Sequence, residues 1–210
     1  MRRHLPKGAT TGIVMLHGRG GTAQDILSLL DHADVPQVAA IAPEAPRNSW
    51  WPTSFLAPSD AMAPFLRVGL AAVSAAVAEL EQAGISRSSI WLCGFSQGAC
   101  LALEAFAQQG EGLAGLFALS GGLVGKADHG AAMVALHGYC DKTLDYDGLR
   151  TGHVWLSAHE RDPHIPLKRV NDSAAALRAM GAQVELRIYP GAGHAVMRDD
   201  IAALRHRLNG

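Results

Sequence analysis

Several things are scarce in this chain, and each scarcity narrows what it can be. It has three cysteines in 210 residues, with no CxxC pair. An odd, scattered set makes a poor disulfide framework, and Cys93 and Cys100 are expected to serve as small buried apolar side chains. Neither sign of charge is in excess, since 18 Lys and Arg stand against 19 Asp and Glu. Nothing in that balance asks for nucleic acid or an anionic membrane as a partner. Ten histidines are present, but without an HExxH or a Cys/His cluster of zinc-binding spacing. No metal and no cofactor are therefore expected. Long apolar runs are missing too. The stretch after Arg2 and Arg3, Ile13 to Leu16, is far too short for a signal-peptide core or a membrane span. The expectations are no integral membrane segment, a cytoplasmic location, and one domain long enough to bury a core unaided.

What the chain does have is alternation. Short apolar runs take turns with amphipathic stretches, the pattern of a mostly parallel sheet with helices on both faces. Strands are expected at 11–18, 38–43, 89–94, 113–122, 153–158 and 183–190, and helices at 22–33, 65–83, 96–109, 167–180 and 196–208. Two stretches have no regular period. One is Pro- and Trp-rich, at about 44–66; the other, at about 126–151, reads as an irregular insert, although "MVALHG" within it has strand character.

In open parallel sheets functional groups collect on loops at the carboxyl ends of strands. Read that way, four strand ends carry "HGRGG", "FSQG", "HERDPHIP" and "GAGHAV". A serine, an aspartate and a histidine thus follow separate strands in the order Ser96, Asp162, His194. "GFSQG" stands between a strand and a helix, the context of a nucleophile elbow, whose tight turn leaves no room for side chains two residues either side of the serine. Asp162 also has the sequence of a plain turn or cap residue, and Asp141, Asp145 and Asp147 are rival acids from the unpatterned segment. His17, in "LHGRGG", is expected to order its loop rather than to transfer protons.

These stretches, with "GFSQGACLAL", "ALSGGL", "DPHIPL" and "YPGAGHAV", resemble the phospholipase/carboxylesterase group of α/β-hydrolases, whose relatives include the acyl-protein thioesterases; the likeness runs from about Ile13 to Asp200. The resemblance implies an α/β-hydrolase fold and a serine esterase in which Ser96 is the nucleophile, Asp162 the acid and His194 the base. It also implies an oxyanion hole formed by the backbone N–H groups of Arg19 and Gln97, and it is compatible with a homodimer. Two features depart from the pattern: Arg19 stands where acyl-protein thioesterases carry an aliphatic residue, and the 126–151 stretch is longer than in the smallest members. Dienelactone hydrolases, a neighbouring group, use a cysteine where this chain has Ser96.

The expected substrate is a small-molecule carboxylic ester, with a thioester of acyl-protein or acyl-CoA as the alternative and a non-catalytic ligand-binding module as the remote one. Trp50, Trp51, Phe55, Leu56 and Phe65 are candidates for an apolar acyl wall, or else for core packing beneath a long loop. The Arg19 side chain is a candidate for favouring an anionic substrate.

Overall fold

The computed structural model describes residues 1–128 and 141–209. Along the chain lie β1 (Arg2–His4), β2 (Gly12–Leu16), α1 (Ala23–Ala33), β3 (Ala39–Ala42), α2 (Ser59–Gln82), β4 (Ile90–Phe95), α3 (Gln97–Gln109) and β5 (Gly115–Leu119). After them come β6 (Ala127–Asp128), β7 (Lys142–Thr143), β8 (His153–Arg161), α4 (Leu167–Ala179), β9 (Gln183–Ala192) and α5 (Arg198–Leu208). Seven strands make one sheet in the order β1-β3-β2-β4-β5-β8-β9, and β6 pairs only with β7. Every neighbouring pair in the large sheet is parallel except β1 with β3.

The apolar runs of the central strands are continuous because both of their faces are covered. Period-two alternation splits each run between two cores. Val14, Leu16, Leu92, Leu116, Val154 and Leu156 face one core, which is completed by α2, α3 and α4. Ile13, Met15, Trp91, Cys93, Phe117 and Leu119 face the other, completed by α1 and α5. At about 25 cal/mol per Å² of apolar surface removed from water, burial on both faces is the main force that holds the layers together.

Three differences from the sequence expectation have physical causes. The Arg2–His4 segment, which read as a terminal charge cluster, is an edge strand whose side chains are all exposed, so it carries no hydrophobic signal. Helix α2 begins at Ser59, so the aperiodic wall stretch is shorter than 44–66 and Phe65 lies inside the helix. The two prolines, Pro58 at the N-cap and Pro64 within the helix, hide the start. Near a helix start, however, a proline removes few hydrogen bonds, and buried Met62 and Leu66 continue the core stripe. Strands β8 and β9 also run past residues 158 and 190, which brings Asp162 and His194 directly after the sheet. In the 126–151 stretch, the described residues are irregular apart from the two-residue strands β6 and β7. The "MVALHG" segment lies outside the described residues.

Helix α2 spans 24 residues, with a mean hydropathy of 1.7 over its most apolar window. The core takes up part of that apolarity: Leu70, Val73, Val77 and Leu80 are buried with the sheet residues of the first core, while Phe65 and Val68 on the same helix are exposed.

Candidate active site

The turn from β4 into α3 puts Ser96 at φ 55°, ψ −120°, a backbone conformation that costs a non-glycine residue on the order of 1–3 kcal/mol. The flanking glycines make it possible. A Cβ added at Gly94 would come within 2.2 Å of the Gly98 carbonyl oxygen, and one at Gly98 within 2.1 Å of the Leu16 carbonyl oxygen. Strand, turn and helix therefore cross in van der Waals contact, and the hydroxyl is lifted off the end of the sheet. The turn is tied to β5 by the Ser96 N–H, which donates to the Leu119 carbonyl at 2.9 Å.

His194 arrives two residues after β9 and Asp162 one residue after β8. Nε2 of His194 lies 2.8 Å from the Ser96 hydroxyl oxygen, and Nδ1 lies 2.7 Å from Oδ2 of Asp162. A carboxylate only accepts, so Nδ1 carries the ring proton and Nε2 is left to accept from the serine. Oδ1 of Asp162 accepts from the backbone N–H groups of His164 and Ile165 at 2.8 and 3.0 Å. The turn role and the imidazole contact anticipated for this residue thus coexist, one on each oxygen. Burial pushes the Asp162 carboxyl up, but the hydrogen bonds from His194, His164 and Ile165 outweigh it and hold the carboxyl below its ordinary range.

The fold and these motifs can be set beside known proteins. A family model described as phospholipase/carboxylesterase matches residues 6–209. The chain belongs to this family. It is 38% identical to a phospholipase/carboxylesterase from Dyadobacter fermentans of known crystal structure, with a TM-score of 0.83 over 97% of this chain and 91% of that one. A carboxylesterase from Mesorhizobium loti, 20% identical with a TM-score of 0.70 over 97% of this chain and 90% of that one, shares the α/β-hydrolase fold. Acyl-protein thioesterase 1 of Gibberella zeae is 31% identical over 120 residues, 56% of this chain and 46% of that protein. The chain spans about half the length of the curated relatives it matches.

In this phospholipase/carboxylesterase family member, a cleft of about 480 Å³ opens over Ser96 and His194. Trp51, Phe55, Phe95 and Ile165 give it apolar walls, and Arg19, Ser54, Gln97 and His164 add polar lining. Of the five wall candidates, only Trp51 and Phe55 line it. Trp50 is buried against the His17 ring, 5.3 Å between centroids, and its Nε1 donates to the His17 carbonyl. Leu56 is buried in the first core. Phe65 is 40% exposed on α2, away from the cleft, because helix formation from Ser59 takes it out of the loop. His164, two residues after Asp162, stands edge-on to His194 with ring centroids 4.9 Å apart.

Gly18 packs against the elbow, since a Cβ added there would lie 3.3 Å from that of Ser96, and this sets Arg19 beside the serine. Gln97 is the first residue of α3, where the backbone N–H has no intrahelical partner. Among the described residues, no backbone carbonyl accepts from the N–H of either Arg19 or Gln97. The two side chains have a shared task that sequence reasoning missed. Oε1 of Gln97 accepts from the Trp50 N–H at 2.8 Å, and its Nε2 donates to the Trp51 carbonyl at 2.8 Å. The Arg19 guanidinium donates to the Pro52 and Thr53 carbonyls. Those bonds tether the guanidinium to the wall segment, while Arg19 still lines the cleft. His17 orders its loop as anticipated: Nε2 accepts from the Ala45 N–H at 3.1 Å, so Nδ1 carries the proton and donates to the Gly18 carbonyl.

Two of the three rival acids are occupied elsewhere, and the third, Asp145, is exposed. Asp141 pairs with Lys168 and Arg169, and Asp147 with Lys126. Cys93 and Cys100 are buried free thiols. Burial pushes both thiols up, that of Cys100 to about 12, so neither supplies a thiolate near neutral pH. Cys140 lies outside the described residues.

Proposed function

We propose that this chain is a serine hydrolase of carboxylic esters that works through an acyl-enzyme. The reading is carried by the continuous hydrogen-bond chain from Ser96 through His194 to Asp162. In it, His194 Nε2 takes the hydroxyl proton as Ser96 Oγ attacks the acyl carbonyl, and returns it to the departing alcohol. Asp162, already ionised, keeps the imidazole in the required tautomer and stabilises the imidazolium. The Arg19 and Gln97 N–H groups bind the oxygen on which charge develops, each worth on the order of 3 kcal/mol in the transition state. Water then enters with His194 again as base and releases the acid. Trp51, Phe55, Phe95 and Ile165 hold an apolar acyl or aryl group against the serine. A small-molecule ester suffices as substrate, and the scheme calls for no cofactor.

A thioester substrate is the second reading, favoured by the likeness to the Gibberella zeae thioesterase. Measuring kcat/KM for p-nitrophenyl esters of rising chain length beside matched thioesters separates the two; a thioester preference of tenfold or more at equal chain length selects the second. The serine chemistry common to both is tested with a fluorophosphonate probe and peptide mapping. Labelling is expected at Ser96 alone and is abolished in Ser96→Ala. Equal labelling of that variant, or an adduct on another residue, overturns the assignment.

A further inference from the structure

The imidazole of His194 sits on a short connection, Gly193 to Val196, between the end of β9 and the N-cap of α5 at Met197. A loop of that kind holds a side chain to the tolerance catalysis demands only if both of its ends are fixed. One buried carboxylate fixes both. Asp200 is completely buried. Its Oδ2 accepts from the Met197 N–H at 2.8 Å, at the start of α5 and so just after the loop. Its Oδ1 accepts from the Tyr189 hydroxyl at 2.9 Å, on β9 and so just before the loop. The same Oδ1 takes a third bond, from Nε1 of Trp155 at 2.8 Å, on β8, the strand that delivers Asp162.

The node thus joins the two strands and the helix that frame His194. Beneath the loop, the buried His159 ring packs 5.5 Å from Tyr189, centroid to centroid. It also fills the space under Gly193, where an added Cβ would lie 2.6 Å from its Cδ2. The mechanism uses none of these groups.

We propose that Asp200 is a positioning residue for His194: it sets the height and direction of the imidazole by locking the strand before the loop and the helix after it. The proposal rests on the reading of His194 as the base. The Asp200→Asn variant keeps the shape of the node. With its oxygen toward Trp155 and Tyr189, however, its amide turns a donor onto the Met197 N–H. Tyr189→Phe and Trp155→Phe each delete a single donor.

Assayed with p-nitrophenyl butyrate on the whole 210-residue chain, Asp200→Asn is expected to lower kcat at least tenfold with KM within twofold of wild type. Tyr189→Phe is expected to lower kcat about threefold. The rate of fluorophosphonate labelling falls in proportion, and the downfield proton resonance of the His194–Asp162 hydrogen bond broadens. A lower thermal midpoint with unchanged kcat and an unchanged resonance means a merely structural role and overturns the proposal. If Asp200→Asn does not fold, wild-type kcat in both single-donor variants overturns it. His194→Ala, run alongside, separates the two levels. Activity retained there defeats the base assignment itself, whereas its loss beside normal Asp200 and Tyr189 variants defeats only the positioning role.

Discussion

Asp162 divides its two oxygens between a backbone turn and an imidazole, and that division fixes what its removal does. Because its carboxyl is held below the ordinary range, it stays ionised throughout the interval in which an imidazole titrates. Asp162 is therefore expected to add no ionisation of its own to the profile of kcat/KM against pH above the ordinary carboxylate range. Asp162→Asn is expected to lower kcat by about 10⁴-fold, the pattern seen when a triad acid loses its charge. Asp141→Asn, which takes the counter-charge from exposed Lys168 and fully buried Arg169, is expected to lower stability but to leave kcat within about twofold. Steady-state kinetics on the two variants decides, and a crippled Asp141→Asn beside a mild Asp162→Asn would reverse the choice of acid. At this scale the serine, aspartate and histidine were legible because each follows a strand in a fixed order. The side-chain work of Gln97 and Arg19 was not. Their backbone partners lie 33 to 47 positions away, and nothing in residue type announces such bonds.

At the scale of elements, the elbow is the feature that tolerates least. Gly98→Ala must displace the backbone of β2, because its Cβ would overlap the Leu16 carbonyl. It is expected to cost at least about 3 kcal/mol, at or beyond the top of the usual range for overpacking. Gly69→Ala offers a contrast. Its Cβ meets only the Leu101 side chain, at 2.9 Å, and the alanine gains about 1 kcal/mol of helix propensity. Its net effect is expected to stay within about 1 kcal/mol. Urea unfolding of both variants checks the ranking, and equal costs would mean that the crossing at the elbow is not tight. The central strands were read correctly from continuous apolar runs, since burial on both faces leaves that signature. The start of α2 and the whole of β1 were not, because proline and exposure erase the periodicity that reveals helices and strands.

For the whole molecule, one buried group ties stability to pH in an unusual direction. Glu104 on α3 is fully buried and accepts from Tyr146, the Gly125 N–H and Gln108. Burial pushes its carboxyl up, more than those hydrogen bonds bring it down. A raised carboxyl keeps its proton in the folded state after the unfolded chain has lost it. Its favourable contribution is therefore complete below the ordinary glutamate value and fades as pH rises through the folded one. Wild type measured against Glu104→Gln by urea unfolding is thus expected to lose relative stability between pH 5 and pH 8. A difference that stays constant over that interval removes Glu104 as the source. The layered architecture was legible at this scale, since alternation of strand and helix leaves few ways to bury both faces of a sheet. The 126–151 stretch was not, because its described residues are held by ion pairs and buried polar contacts rather than by a repeating apolar pattern.

The two margins of the large sheet differ from its middle. β1 ends it after three residues, and Arg3 on that strand pairs with Glu79. β9 ends it on the other side, with Glu185 and Arg187 paired to Arg207 and Asp199 of α5. A short strand and a strand studded with charge both discourage a neighbouring chain from adding itself to the hydrogen-bond ladder. A protein fenced in this way resists growing into a continuous cross-strand assembly, so crowding and long storage at high concentration should threaten it less than its apolar, twice-covered middle strands suggest.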